Sequence, residues 1–514
     1  MKIRNYVALG MGLAMAALLG GCGSKNANDS SNNNSFTVLN VRFPGSSKTY
    51  RAKGTVPAAS KATNVTVKWK TYTTLEWGDK KGTVLGGGEL PDAFFGNTAL
   101  GDADIANNLA SLIPLEKYIN KKTMPNLTKI MKKDPKMRAI VTSADGHIYS
   151  LPSRMTGRTI TGNQLYINKK WLDKLGLKMP TTYQEFEDVM VAMATKDPNG
   201  NGKKDEVGLD GFTNIAMIPW GVQASSSTTT QWMNYDGKKV YYTPATETFK
   251  KAVEHMHDLY KRGGIDPEFF TQDFTKLMTK FTNASKVGGA VTYNPVNLGK
   301  TPDEYVAAPA LVGVDGKKVA LRDQDPYSRN QFEVTTACKN PKKLLQWVDQ
   351  FYTPDNSIQS YYGPFGKTTK KNSDGTYSLL KDKSKKHWVQ DDFAINNAFR
   401  DWAPQYGDDA LANKIHYIDN QGDGLRRKIA TPLDKYTGPQ YPALSFKPEE
   451  QKELSSLLAD IDAYAGNKYA QWVTKGGVDK EWNAYIKQLN TMGLKKFLSI
   501  QQKALKRYDK TMNQ

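Results

Sequence analysis

The residues with the clearest chemistry lie in the stretch Asp197-Pro198-Asn199-Gly200-Asn201-Gly202-Lys203-Lys204-Asp205-Glu206. Oxygen-bearing side chains stand at positions one, three and five of this loop: Asp197, Asn199 and Asn201. Gly202 at position six permits a sharp turn, and Lys203 at position seven offers its main-chain carbonyl while its charge points away. A hard cation such as calcium takes about six to eight oxygens at about 2.3–2.6 Å, which alternate positions of a tight loop supply. Position twelve is Gly208 instead of a bidentate glutamate, so closure of the shell falls to Asp205 and Glu206. The expectation is a structural Ca2+ site built from Asp197, Asn199, Asn201, Lys203, Asp205 and Glu206, with its ligands consumed by the ion. The competing reading is an Asn/Gly-rich turn after a helix ending near Lys196.

Other reactive residues do not assemble into a motif. The five histidines are scattered. His255 and His257 are two apart and fall on different faces of a helix. No HExxH, GxSxG, Walker A or GxGxxG stands in the right context. Asp391-Asp392 and Asp408-Asp409 are adjacent acids, a pattern more typical of solvated or capping residues than of a glycosidase pair.

The elements that position the loop follow from periodicity. Phe36 to Phe43, Val65 to Tyr72 and Leu90 to Phe95 read as strands, the last ending at a Gly96-Asn97 turn. Short strands separated by helical patterns indicate an α/β sheet. A helix-rich middle begins with Leu165 to Leu177. The next helix opens at Pro180-Thr181-Thr182, where Thr182 with Glu185 forms a capping box and Phe186, Val189, Met190 and Met193 recur at helical spacing. Thr248 to Lys261 is amphipathic and is closed by Gly263-Gly264. Pro448 marks the start of a helix-rich C-terminal part, whose stripes (Leu454, Leu457, Leu458, Ile461; Trp482, Ile486, Leu489; Phe497, Ile500, Leu505) are core.

The N-terminus reads as a processing segment. Lys2 and Arg4 precede an apolar run, Tyr6 to Leu19, too short to span a bilayer comfortably. Leu19-Gly20-Gly21-Cys22 resembles a bacterial lipobox, which implies cleavage before Cys22 and lipidation of its sulfur. Gly23 to Asn34 (GSKNANDSSNNN) is a polar tether. Cys338 is the one other cysteine, expected as a lone buried thiol. No later segment reads as transmembrane, so the expected location is the outer face of the cytoplasmic membrane.

The chain has 514 residues and a formal net charge of +20. Hydrophobic residues make up 39%, enough for sizeable cores. The lysines are scattered in twos and threes, with no arginine-rich arm, zinc finger or RNP-type motif, so a solvated basic surface is expected and no nucleic-acid partner. An acidic ligand stays open. The 10 Trp and 26 Tyr are mainly packing residues, a few of which would serve as stacking platforms for sugar rings.

These residues resemble the extracellular solute-binding proteins of carbohydrate ABC importers, the large calcium-loop subgroup that includes alginate-binding proteins. Gly88 to Asn97 (GELPDAFFGN), Ile113-Pro114-Leu115 with Tyr118-Ile119, and Asp145 to Pro152 (DGHIYSLP) carry the likeness. Its strongest match is Leu165 to Leu209, calcium loop included, joined by Leu259 to Glu268 and Glu481 to Leu494. The likeness covers essentially the whole mature chain. Gly45 to Asn64 departs from it, being richer in Ala, Lys and Ser with a weaker helical pattern.

The resemblance implies a two-lobe periplasmic-binding-protein type II fold, a ligand cleft closed by hinge motion, and a helix-rich C-terminal part. The expected divisions are a signal peptide at 1–21, lipidated Cys22 and tether at 22–34, first lobe 35–155, second lobe 156–290, a return to the first lobe at 291–350, and second lobe with C-terminal helices at 351–514. It further implies a monomer that delivers a carbohydrate, an oligosaccharide, to ABC permease subunits and performs no covalent chemistry. Sugar sites combine aromatic stacking with fixed polar groups. The candidates are Trp77, Trp220, Tyr293 and Trp402, aromatics in loop-like context, with Asn97 and Arg158. Two alternatives remain open at this point: a surface-anchored carbohydrate-active enzyme, which needs two convergent carboxylates about 5–10 Å apart, and a binding protein for peptides or another non-sugar solute.

Overall fold

The computed structural model describes residues 34–42, 53–87, 89–224, 232–282, 286–293, 295–298, 304–384, 388 and 390–513. The expected signal peptide, Cys22 and nearly all of the tether lie outside the described residues.

The first sheet is built on β1 (Ser35–Arg42), whose residues are buried almost without alternation, as a strand covered on both faces requires. β1 pairs in parallel with β2 (Thr66–Thr73) and β3 (Ala93–Phe95), in registers Val38↔Trp69 and Val38↔Ala93. Parallel neighbours need crossovers, and helices Thr55–Thr63 and Thr74–Gly86 supply them. Within the departing stretch Gly45 to Asn64, helix Thr55–Thr63 completes a βαβ unit, and Asn64 ends it in a left-handed conformation, φ 50°. β3 is shorter than the expected Leu90 to Phe95, because Pro91 has no N–H to donate to a ladder.

The helix-rich middle begins with a strand. Gln164–Asn168 forms β5, and Asn168 Oδ1 then accepts from Trp171 N at 3.0 Å to start helix Lys169–Lys174. β5 runs antiparallel to β9 (Val287–Thr292), with Tyr166↔Ala290, while β6 (Val207–Gly211) runs parallel to β9. The short hairpin β7 (Met233–Tyr235) and β8 (Val240–Tyr242) lies between them in sequence. Helix Tyr183–Thr195 opens with the expected box: Thr182 Oγ1 accepts from Glu185 N at 3.2 Å and Glu185 Oε2 from Thr182 N at 3.3 Å. It presses so closely on the sheet that a Cβ at Gly289 would meet Met190 Sδ at 2.7 Å, and one at Gly288 would meet Met193 Sδ at 2.7 Å. Helices Glu247–Lys261, Pro448–Lys475, Val478–Thr491 and Leu494–Met512 bury their expected stripes in the same core, with Leu457, Leu458 and Ile486 at its margin.

The expected return to the first lobe at residue 291 is corrected. β10 (Tyr305–Ala307) still pairs with β5, in register Val306↔Ile167. The return comes with β11 (Tyr327–Ser328) and β12 (Phe332–Val334), the latter antiparallel to β3. The boundary at 351 is likewise too early: Phe351 and Tyr352 are buried in the first lobe's core, where Phe351 packs against Phe95 and Trp347 at 5.5 and 4.9 Å between centroids. Periodicity does not disclose which edge strand a short segment joins.

Between the lobes, β11, β4 (Ser153–Arg154) and β15 (Gln405–Tyr406) form a small sheet at the chain crossings. A further three-stranded sheet, β13 (Thr369–Lys371), β14 (Tyr377–Leu379) and β16 (Ile415–His416), encloses its own cluster around Tyr361 and Tyr362. Cys338 is a buried free thiol whose pKa burial pushes up to about 12, leaving it inert at neutral pH. Among the described residues, no helix is long and apolar enough to cross a membrane.

Candidate functional site

In open α/β sheets, ligands bind beyond the carboxyl ends of the strands. In the first lobe β3 ends at Phe95 and the chain turns at Gly96, φ 86°. A Cβ there would meet the Trp402 carbonyl at 2.9 Å, so glycine allows the 402 segment to lie against the strand end. Asn97 follows and donates from Nδ2 to Ser328 Oγ at 3.0 Å. Gln331 Nε2 joins the same Ser328 Oγ to the Asp401 carbonyl, both at 3.0 Å. Arg158, just past the crossing strand β4, donates from Nη1 to Asp401 Oδ2 at 2.7 Å and from Nε to Gln324 Oε1 at 2.9 Å. Burial opposes the Arg158 charge, but Asp401, with Tyr293 and Tyr361, more than offsets this and raises the Arg158 pKa.

The second lobe contributes Tyr293, at the carboxyl end of β9. The Arg426 guanidinium lies 4.8 Å from its ring centroid. Arg426 is clamped by Asp391 through two bonds of 2.6 and 2.9 Å and by Asp423 at 2.6 Å. Arg400 packs over Tyr361 at 4.1 Å and reaches Asp391 and Asp423 at 3.5 and 3.7 Å. Burial raises the Tyr293 phenol pKa, with Arg158 and Arg426 opposing.

Four of the six expected ligand residues, Asn97, Arg158, Tyr293 and Trp402, thus join one polar and aromatic constellation where the two lobes meet. Trp402 and Tyr293 are half-buried. The other two are corrections. Trp77 is 4% exposed, stacks on Tyr72 at 5.5 Å and donates its indole N–H to the Ala99 carbonyl at 2.7 Å. Trp220 is 0% exposed, meets Phe186 edge-on at 5.7 Å and donates to Glu187 Oε1 at 2.8 Å. With no free ring face and a satisfied N–H, neither offers a stacking platform. Sequence reasoning missed Asp401, Gln331, Ser328, Gln324, Arg400 and Arg426. The one available signal was Arg400-Asp401-Trp402, where charged residues flank the chosen aromatic.

Among the described residues, three of the four paired acids are engaged in structure. Asp391 holds Arg426, Asp408 holds Lys133 at 2.6 Å and caps Leu411 N at 2.9 Å, and Asp409 holds Arg154 at 3.0 Å. Beside the constellation, a cavity of about 340 Å³ lies between Asp102, Tyr149 and Arg329 on one side and Leu444, Phe446 and Pro448 on the other. Arg329 bridges it, reaching Asp102 at 2.6 Å and the Leu444 carbonyl at 2.9 Å.

The calcium-type loop follows helix Tyr183–Thr195. Asp197 enters at φ 46° and its carboxylate accepts from Gly200 N, Asn201 N and Gly202 N at 2.8, 3.1 and 2.9 Å. Asn199 Oδ1 accepts from Asn201 N at 2.9 Å, and Asn201 Oδ1 from Lys203 N at 2.8 Å. Burial raises the Asp197 pKa, but these N–H donors prevail and lower it. Asp205 pairs with Lys286 at 3.0 Å, which with the two Asn amides brings its pKa down to about 2. Glu206 is largely buried, and its Oε1 makes no hydrogen bond among the described residues. The loop leads into β6, not a second helix. Among the described residues, no group of three or more His, Cys, Asp or Glu converges in metal-holding geometry. The oxygens here instead alternate between carboxylates and amides around a tight turn, and a buried carboxylate oxygen without a donor fits a cation.

Comparison with known proteins gives consistent results. The chain is 28% identical over 97% of both chains to the fructooligosaccharide ABC transporter substrate-binding protein FusA of Streptococcus pneumoniae. It superposes on that protein's kestose complex with a TM-score of 0.76 at 26% identity, covering 93% of this chain and 99% of the other. An EF-hand mutant of the same protein in complex with fructo-nystose gives the same values. An HMO-binding ABC-transporter-associated solute-binding protein of Bifidobacterium longum infantis shares the fold, with a TM-score of 0.77 at 23% identity over 92% of this chain and 98% of that one. Residues 46–358 match the bacterial extracellular solute-binding protein family, and the chain belongs to it.

Proposed function

We propose that this protein captures an oligosaccharide in the cleft between its lobes and delivers it to the permease subunits of an ABC importer, without altering it covalently. The observation that carries this reading is the constellation of Asn97 and Tyr293, at the carboxyl ends of β3 and β9, with Arg158 and Trp402 beside them. Half-buried rings flanked by fixed polar side chains suit the apolar faces and hydroxyls of a sugar. The likeness to a fructooligosaccharide-binding relative along nearly the whole chain supports it. The carboxylates near the crossing are tied to arginines, which suits binding better than acid–base catalysis.

The anchor belongs to the same reading: a lipid on Cys22 and the polar tether hold the binding protein at the outer face of the cytoplasmic membrane. The loop Asp197 to Glu206 holds a calcium ion that fixes the turn between helix Tyr183–Thr195 and β6. Asp197, Asn199, Asn201, Asp205 and Glu206 supply side-chain oxygens and Lys203 its carbonyl. An EF-hand in FusA supports this assignment.

The test is calorimetric titration of the mature chain with uncharged and acidic tri- and tetrasaccharides. Micromolar or tighter binding of one class, with recovery of unchanged sugar, is the expected result. Release of shorter products would point to an enzyme. Failure of every saccharide would leave peptides and other solutes as the ligand class.

A further inference from the structure

We propose that Asp401 sets the charge of the ligand, restricting the cleft to uncharged glycans by holding Arg158 in an ion pair. The proposal rests on the reading of the cleft as a glycan site. An acidic sugar is recognised through its carboxylate, and a guanidinium is the natural partner because its parallel N–H groups match the two oxygens. Arg158 stands where such recognition would occur, yet its edges are already engaged. Nη1 donates to Asp401 Oδ2 at 2.7 Å, and Nε donates to Gln324 Oε1 at 2.9 Å.

Two neighbouring cations, Arg426 and Arg400, are committed in the same way. Arg426 is clamped by Asp391 and Asp423, and Arg400 lies against the same two carboxylates. Three guanidiniums thus face three carboxylates. Arg427 lies 5.2 Å from the Tyr417 ring centroid and faces the Gly157 carbonyl at 3.5 Å. A uronate approaching Arg158 would have to displace Asp401 and would leave two negative charges side by side in a desolvated site. Such repulsion is how a site rejects the wrong ligand.

The second Asp401 oxygen points the same way. Oδ1 is buried and makes no hydrogen bond among the described residues, and Gln331 Oε1 nearby shares that condition. Both are acceptors. Hydroxyl groups of an uncharged sugar can donate to them, whereas a carboxylate brings only further acceptors.

The experiment compares wild type, Asp401→Asn and the double variant Arg158→Gln/Asp401→Asn. Each is titrated with a panel of uncharged oligosaccharides (kestose, maltotriose, cellotriose and xylotriose) and with trigalacturonate, at low and high salt, and its melting temperature is recorded. Wild type should bind one uncharged sugar at least 100-fold more tightly than trigalacturonate. Asp401→Asn should narrow that ratio at least tenfold, with the gain shrinking as salt rises, because Arg158 is released. The double variant should lose the gain. Wild-type preference for trigalacturonate overturns the proposal even if neither variant folds. An unchanged ratio in a folded Asp401→Asn overturns it while leaving the glycan-binding reading intact. Absence of binding to any saccharide overturns both together.

Discussion

The indole N–H of Trp220 donates to the buried Glu187 carboxylate at 2.8 Å, and the Nδ1 of His255 stands 3.4 Å from the same oxygen. Helix Tyr183–Thr195, the turn Ile215–Trp220 and helix Glu247–Lys261 are thereby joined through one acid inside the second lobe. Trp220→Phe removes the donor, and its smaller ring adds a packing loss that does not change with pH. Leaving a buried carboxylate short of a partner costs about 1–3 kcal/mol. Pairing with Glu187 outweighs the burial of His255 and raises its pKa above the usual value. Its stabilising contribution is therefore full below the unfolded pKa near 6.5 and is lost as pH rises through the folded one. The destabilisation by Trp220→Phe should be smaller at pH 5 than at pH 8, as measured by urea unfolding, with ligand affinity unchanged.

A second pH effect comes from Asp210 at the end of β6. It is wholly buried, and Gln272 Nε2 donates to its Oδ1 at 2.6 Å. Asp210 Oδ2 and Gln272 Oε1 have no partners among the described residues. A proton on Oδ2 would donate to Gln272 Oε1 and complete an acid–amide pair. Burial and then the neighbouring Asp266, which pairs with Lys280, raise the Asp210 pKa to about 7. Glu268 faces Lys280 from the same side at 3.0 Å, and Tyr166 lies on the same row of the sheet, opposite Ala290. A raised carboxyl pKa binds its proton more tightly in the folded chain. This contribution is full below the unfolded value near 4 and is lost as pH climbs through about 7, on the order of 4 kcal/mol at most. Asp210→Asn reproduces the protonated acid, so its stability should fall less than that of wild type across that window and exceed wild type at pH 8. A variant as pH-dependent as wild type would remove Asp210 as the source.

How far the sequence disclosed this molecule depends on the kind of signal. The capping box at Thr182 and the stripes of the C-terminal helices are local, and local spacing reports them directly. The calcium-type loop is likewise one contiguous run. The polar and aromatic constellation where the lobes meet is not: Arg158 and Asp401 are separated by 243 positions and Asn97 and Ser328 by 231, so no window contains either pair. Loop-like surroundings point to Trp77 and Trp220, but the first lies in a helix and the second in a buried turn, each with its N–H answered inside a core. Aromatic residues near Gly and Pro say little about burial, which is decided by distant segments. The lobe boundaries failed for the same reason, since β10 is three residues long and its partner β5 is far away in sequence.

Calcium should stabilise the second lobe through Glu206. Glu206→Gln keeps the side chain's shape and removes one charge from the loop, whereas Asp197→Ala would also remove the acceptor for three main-chain N–H groups. A ligand that binds only the folded state raises the melting temperature by mass action. Wild type should therefore melt several degrees lower after chelation and recover with added calcium, and Glu206→Gln should show a clearly smaller difference. Equal melting of wild type with and without calcium would reduce Asp197 to Glu206 to a hydrogen-bonded turn.

Trp402 and Trp77 give the sharpest test of the cleft, because they are the same residue type in opposite situations. Trp402 is half-buried beside Gly96, at the carboxyl end of β3 and next to Asp401. Trp77 lies within the first lobe between Tyr72 and Phe94. Truncating a core tryptophan costs about 3–5 kcal/mol of folding stability. Truncating a stacking tryptophan instead costs affinity, because the apolar face of the sugar loses its platform. Trp402→Ala should weaken oligosaccharide binding by at least tenfold while moving the melting temperature little. Trp77→Ala should lower the melting temperature by many degrees and leave the affinity of the remaining folded protein near wild type. If Trp402→Ala instead lowers the melting temperature as strongly as Trp77→Ala and binds sugar normally, Trp402 is a packing residue, and the ligand must contact other side chains at the junction of the lobes.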